Sequence, residues 1–291
     1  MEAPGELLKR AKRRHKRCCI STAVLAAIVV VLIIAIPCAV LLPKQKKPMH
    51  PATILLPLYI YPSSGRWEPL SAAVERYGDV NFTVIINPLS GPGNSATPGN
   101  EYPSAIRRLN SAPNVQTVGY VRTGYTDRNI NDVVDDVATY SGWSKVDSGL
   151  SVSGIFFDET PHDFSRRKQQ FLITANEAVK NATGLREPKL IIHNPGTIPD
   201  ARLNDPLTDV TVVFESSFDQ YQELEEDLQS LPGDRSSRSI MVHSLPSGKS
   251  VDSVLQSMSR TAQYLYLTTA DQGYYEHFSD SWDKVVQIMG L

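Results

Sequence analysis

Three cysteines occur in 291 residues, and all three, Cys18, Cys19 and Cys38, lie near the amino terminus. The long remainder has none. No disulfide can staple it, so its stability must come from a buried core. Charge is missing from one stretch: no Asp, Glu, Lys or Arg occurs from Cys18 to Leu42, 25 positions. About twenty apolar residues span a bilayer core, so this run reads as a membrane span in preference to a buried core helix. Cys18 and Cys19 at its edge read as boundary residues or acylation sites.

Seven Lys/Arg precede the run (Lys9, Arg10, Lys12, Arg13, Arg14, Lys16, Arg17) and Lys44, Lys46 and Lys47 follow it. That bias keeps the amino terminus cytoplasmic. The expected organisation is a basic tail over 1–17, a transmembrane signal anchor over 18–42, a proline- and lysine-rich linker over 43–52, and a globular domain over 53–291. The chain is then a single-pass type II protein with that domain extracellular or luminal. The alternative is secretion after signal cleavage, because Pro37-Cys38-Ala39 resembles a cleavage context.

The acidic globule lacks a basic face. The whole chain has a net charge of −2, but the first 47 residues carry ten Lys/Arg and two acids, leaving 19 Lys/Arg against 29 Asp/Glu beyond them. Nucleic-acid binding is disfavoured on that balance. No glycine-rich phosphate loop follows the first apolar run, where Tyr61-Pro62-Ser63-Ser64-Gly65-Arg66 stands instead. No His-x-His or His-x-x-x-His pair occurs, so a zinc hydrolase built on His193, His243 and Asp158 is poorly supported. The chain calls for no cofactor and no metal, and a monomer is expected.

What is present is an alternation. Eight short apolar runs begin at Ile54, Phe82, Gln116, Ser153, Lys189, Val210, Ser239 and Tyr264. They lack the strict alternation of half-exposed antiparallel strands. Helical patterns separate most of them: Trp67–Tyr77, Ile130–Trp143, Phe164–Val179, Phe218–Leu228 and Val251–Ala262, with Trp282–Met289 at the end. The segment Pro199–Leu207 is the weak link. Eight strands alternating with helices predict an α/β fold, a (β/α)8 TIM barrel preceded by a single transmembrane helix. An open doubly wound sheet is the alternative.

The organising stretch is Gly154-Ile155-Phe156-Phe157-Asp158-Glu159. A buried strand there stops on two carboxylates, at the end where parallel folds bind ligands. The other runs end in Tyr59 and Tyr61, Asn87, Tyr120 and Arg122, His193 and Asn194, Glu215, His243 and Ser244, and Thr268 and Thr269. Any strand must end in something polar, yet three carboxylates, two histidines and an arginine exceed that need. Paired carboxylates across a cleft can cut a glycosidic bond, one donating a proton and the other attacking or activating water. Asp158 and Glu159 point to opposite sides if the strand continues, so one of them should pair with Glu215. The tyrosines, Tyr125 included, suit stacking on sugar rings. Asn81 and Asn181 head two glycosylation sequons placed before strands two and five, hence at the opposite face.

Several blocks resemble the spherulin-4 family, glycoside hydrolase family 135: Leu56-Pro57-Leu58-Tyr59, Ile86-Asn87-Pro88-Leu89-Ser90-Gly91-Pro92-Gly93, Gly119-Tyr120-Val121-Arg122-Thr123, Gly154 to Glu159, Asn194-Pro195-Gly196-Thr197 and Val212-Val213-Phe214-Glu215. The chain departs from the family pattern at Leu89, where Asn is expected, and at Thr126, where Gly is expected. The resemblance implies a TIM barrel that hydrolyses galactosaminogalactan, a fungal exopolysaccharide, at α-1,4-linked N-acetylgalactosamine. Its acidic trio maps onto Asp158, Glu159 and Glu215, with Asp158 as nucleophile, Glu215 as acid/base and Glu159 orienting or tuning them. In a substrate-assisted variant the 2-acetamido group attacks and Asp158 positions it. Tyr59, Asn87, Tyr120, Arg122, Tyr125, His193, Asn194 and His243 are the expected polysaccharide contacts. The competing expectation is a non-catalytic carbohydrate-binding or developmental cell-wall protein on the same barrel.

Overall fold

The structure, a computed structural model, describes residues 49–290. The expected cytoplasmic tail, the anchor over 18–42 and most of the linker lie outside the described residues. Among the described residues no helix is long and apolar enough to cross a membrane.

Eight parallel strands close into a barrel in chain order. They are β1 (Thr53–Leu58), β2 (Asn81–Ile86), β3 (Val115–Arg122), β4 (Gly154–Asp158), β5 (Leu190–Asn194), β6 (Val210–Ser217), β7 (Arg238–His243) and β8 (Tyr264–Leu267). Closure comes from β1, where Thr53 and Ile54 pair with Tyr264 and Leu265 of β8. Phe156 on one side of β4 and Phe157 on the other are both fully buried. Such two-sided burial is why the runs read as continuous rather than alternating. Each buried Ile, Leu or Phe contributes about 1.5–3 kcal/mol, and these side chains do the work that disulfides do elsewhere.

Seven α-helices cover the strands among the described residues: α1 (Glu68–Arg76), α2 (Tyr102–Asn110), α3 (Ile130–Val146), α4 (Arg166–Asn181), α5 (Phe218–Gln229), α6 (Val251–Thr261) and α7 (Trp282–Met289). Helix α3 buries Val133, Val137, Tyr140, Ser141 and Trp143, one apolar stripe. Its start is capped by Asn129, whose side chain accepts from the Asn131 N–H. Helix α2 escapes the periodicity reading. It buries only Tyr102, Ile106 and Leu109 and carries Arg107 and Arg108 in its last turn. After β5 there is no α-helix, only the 3-10 turn Ala201–Leu203, in the segment expected to be weak.

Two features aim the site. Gly119 of β3 lies under the ring of Tyr140, and a Cβ there would sit 2.6 Å from ring carbons. Only glycine lets α3 settle this close. In β6 the register with β7 skips Val213: Val212 pairs with Ser239, and Phe214 with Ile240. Val213 is the extra residue of a bulge. Successive side chains alternate between faces, so in an unbroken strand Glu215 would face the helices. The bulge turns Phe214 outward, where it meets Tyr221 of α5 at 5.7 Å, and Glu215 inward.

Candidate active site

β4 delivers Asp158 to the barrel interior. Its register partners are Arg122 on β3 and Asn194 on β5. The Tyr120 hydroxyl donates to Asp158 Oδ2 at 2.7 Å, and Asn194 Nδ2 donates to Oδ1 at 2.8 Å. The strand ends here. Glu159 takes a left-handed φ of 53°, a strained conformation for a non-glycine residue. Its carbonyl is held by the Tyr125 N–H at 2.6 Å and the Thr123 hydroxyl at 2.7 Å. The turn swings the Glu159 carboxylate to the rim, where it pairs with Arg122 Nε at 2.7 Å.

Glu215 meets Asp158 from the other side. Asn194 Nδ2 also donates to Glu215 Oε2 at 2.5 Å. One amide nitrogen therefore clasps both acids, at 2.8 and 2.5 Å, so those two oxygens are at most 5.3 Å apart, the two legs laid end to end. The amide cannot turn over, because its oxygen accepts from the Gly196 N–H at 3.0 Å. Gly196 has a φ of 67°, which suits glycine. The Tyr275 hydroxyl donates to Glu215 Oε1.

Burial pushes both acids above the ordinary carboxylate range. For Asp158, donation from Tyr120, the Glu159 N–H and Asn194 works against that push. For Glu215, Tyr275 and Asn194 oppose it, while the Asp158 charge adds to it. Asp158 thus has three donors to its carboxylate and Glu215 two, so hydrogen bonding favours the charged form more at Asp158 than at Glu215. Burial also raises the Tyr59, Tyr120 and Tyr275 hydroxyls, which stay protonated donors at neutral pH.

The remaining expected residues scatter. Tyr59 walls the hollow, edge-on to Tyr120 at 5.6 Å and to Tyr275 at 5.3 Å. Tyr125 stands 52% exposed at the mouth. His243 stacks flat on Tyr274 at 4.2 Å and shares a hydrogen bond with Ser244 Oγ at 2.8 Å. Asn87 uses its amide oxygen to accept from the Gly91 N–H at 3.0 Å, shaping its own loop. His193 is a correction. It is buried on the outer side of β5, with Nε2 2.8 Å from Asn176 Oδ1 on α4. Its neighbour Asn194 points inward, so His193 must point out. Burial lowers its pKa to about 4, leaving it neutral. Among the described residues no three His, Cys, Asp or Glu side chains converge to hold a metal. Both sequon asparagines are exposed, Asn81 at the start of β2 and Asn181 at the end of α4.

Tyr275 and Tyr274 escape sequence reasoning. They follow β8 in a loop with no periodicity, and the only signal is an aromatic pair after Gly273. The loop is tied down by Tyr59 N–H donating to the Tyr275 carbonyl at 3.1 Å and by Tyr266 donating to the Tyr274 carbonyl.

Residues 53–289 match the family model Spherulin4, spherulation-specific family 4. The chain is 36% identical over 151 residues to Spherulin-4 of Physarum polycephalum, a match covering 52% of this chain and 41% of that protein. The crystal structure of Aspergillus clavatus Sph3 in complex with GalNAc superposes with a TM-score of 0.80 at 36% identity, covering 83% of this chain and 98% of that one.

Proposed function

The chain belongs to spherulation-specific family 4, and we propose that it is an endo-acting glycoside hydrolase cleaving an N-acetylgalactosamine-containing exopolysaccharide, galactosaminogalactan-like and α-1,4-linked. The observation that carries this reading is the Asn194 clasp on Asp158 and Glu215. Retaining glycosidases hold their carboxyl groups about 5–5.5 Å apart, whereas inverting ones leave about 6.5–9.5 Å for a water. With one oxygen of each acid within 5.3 Å of the other, we adopt the retaining arrangement. GalNAc in the related Sph3 structure supports the sugar class.

The roles follow from the donors. Glu215, whose burial favours the protonated form, serves as general acid to the leaving oxygen and then as base to the incoming water. Asp158, whose charged form three donors favour, attacks the anomeric carbon or orients a 2-acetamido oxygen that does so. Glu159 tunes the pair through the Arg122 ion pair at the rim.

The test is incubation of the full chain with α-1,4-linked N-acetylgalactosamine oligomers, with product lengths and the first-formed anomer followed by proton NMR. Shortened products of retained configuration are expected, and Asp158→Asn and Glu215→Gln should abolish them. Sugar binding without cleavage, indifferent to both substitutions, would establish the non-catalytic wall-protein reading instead.

For location, the proposal is a type II anchor over 18–42 that leaves the barrel extracellular or luminal, with glycans on Asn81 and Asn181. Resistance of the protein to alkaline extraction and a mass shift on enzymatic deglycosylation are expected. A soluble protein lacking residues 1–42 would mean secretion after cleavage.

A further inference from the structure

Beside the carboxylate hollow lies a second concavity, a cleft of about 530 Å³ between the loop after β3 and the first turns of α4. Its lining includes Thr126, Arg128, Asn129, Arg167, Gln170 and Phe171. Phe171 is 8% exposed and forms an apolar floor, while amides and guanidinium groups form the walls. That volume lies within the usual range for small-molecule sites, about 300–1,000 Å³.

One strained turn separates cleft from hollow. Gly124, Tyr125 and Thr126 have successive φ values of 59°, 53° and 77°. Two of the three are not glycine, and each such residue costs about 1–3 kcal/mol. The turn is held from both sides: Tyr125 N–H donates to the Glu159 carbonyl at 2.6 Å, and Arg167 Nη2 donates to the Thr126 carbonyl at 3.0 Å. The result is a tyrosine ring half in solvent, standing between the acids and the cleft.

We propose that this cleft is a second sugar subsite, which takes an uncharged N-acetylated hexosamine unit of the same polymer whose scissile bond lies over Asp158 and Glu215, with Tyr125 as the platform between them. The inference rests on the polysaccharide reading above and extends it. An apolar floor suits the C–H face of a pyranose or an acetamido methyl. The hollow carries Asp158, Glu159 and Glu215 against Arg122. The cleft lining carries Arg128 and Arg167 against Asp127, with Arg128 also paired to Asp136 at 2.6 Å. Two cations thus balance two anions and offer a free amine no net attraction, whereas a neutral acetamide can accept from the exposed Arg167 and Gln170 side chains.

The experiment measures affinity without turnover. N-acetylgalactosamine oligomers of increasing length are titrated by calorimetry into full-length Glu215→Gln protein. Affinity should grow at least about tenfold from short to long oligomers, the equivalent of about 1.4 kcal/mol. Adding Gln170→Trp, which fills the cleft from an exposed helical position, should flatten that growth to under about threefold. Thr174→Trp, one helical turn on, provides a second block if the first variant melts early. Leu224→Trp on the outer face of α5 should leave the growth intact. Partly deacetylated oligomers should lose the gain. Undiminished growth in both blocked variants, or equal growth with deacetylated oligomers, would overturn the subsite. Hydrolysis by the wild type is scored separately, so length-dependent binding without cleavage sinks the hydrolase reading and leaves the cleft standing.

Discussion

The hydroxyl of Tyr275 is hydrogen-bonded to Glu215, a residue 60 positions earlier in the chain. The bond stabilises the charged form of Glu215 and so opposes its upward pKa shift. Tyr275→Phe removes that donor and leaves Asn194 alone on the acid. The folded pKa of Glu215 then rises further. In its proposed role as general acid Glu215 works protonated, so the alkaline limb of the kcat/KM profile should move to higher pH. A variant with lower activity but an unmoved limb would mean that Tyr275 is only packing.

Asn194 Nδ2 donates to both carboxylates. Asn194→Ala should lower kcat by about 10²–10³, the usual loss when one preorganised donor is removed. It should also move the alkaline limb upward, because the pair loses its shared donor. Steady-state kinetics across pH checks both. A residue that merely filled space would cost melting temperature without moving the limb.

Glu215 is also a burden on the fold. Its folded pKa lies above its ordinary value of 4.5. Below that value the side chain is protonated folded or unfolded, and no penalty applies. As pH rises, the unfolded chain releases its proton more readily than the folded one, and stability falls until the folded pKa is passed. Glu215→Gln removes the penalty, and its amide can still face Asn194 with oxygen and Tyr275 with nitrogen. The variant should be about 1–2 kcal/mol more stable than wild type at pH 7, with the gain shrinking below about pH 4.5. Denaturation midpoints at the two pH values give the answer.

Gly119→Ala tests the packing that brings α3 onto β3. The new methyl would meet the Tyr140 ring at 2.6 Å, and Tyr140 is held by a 3.0 Å bond to the Ile86 carbonyl. A loss of about 1–3 kcal/mol is expected from overpacking, measured by urea unfolding, with the pH profile of activity unchanged.

Much of this architecture is legible in the sequence, and the exceptions have physical causes. The barrel is legible because all eight strands are buried on both faces. Asp158 is legible because its strand stops on a charge. His193 and Asn194 are not separable by composition: alternation says that one points in and the other out, and only the pairing of Asn194 with Asp158 says which. The inward aim of Glu215 is invisible, since nothing in Val212-Val213-Phe214 marks a skipped rung. Tyr275 sits in a loop, where no repeat distinguishes it from the tyrosines around it. Thr126, noted only as a departure from glycine, occupies a backbone conformation with a φ of 77°, which is where glycine would be at ease.

The skipped rung at Val213 has a consequence for the lineage of such chains. A single codon gained or lost upstream of the acid would rotate it through the wall, from the sugar to the greasy side. The barrel would keep its shape, yet Glu215 would no longer meet Asp158. Counting residues along β6 is thus a quick way to tell, among kindred sequences, which can bring the two acids face to face.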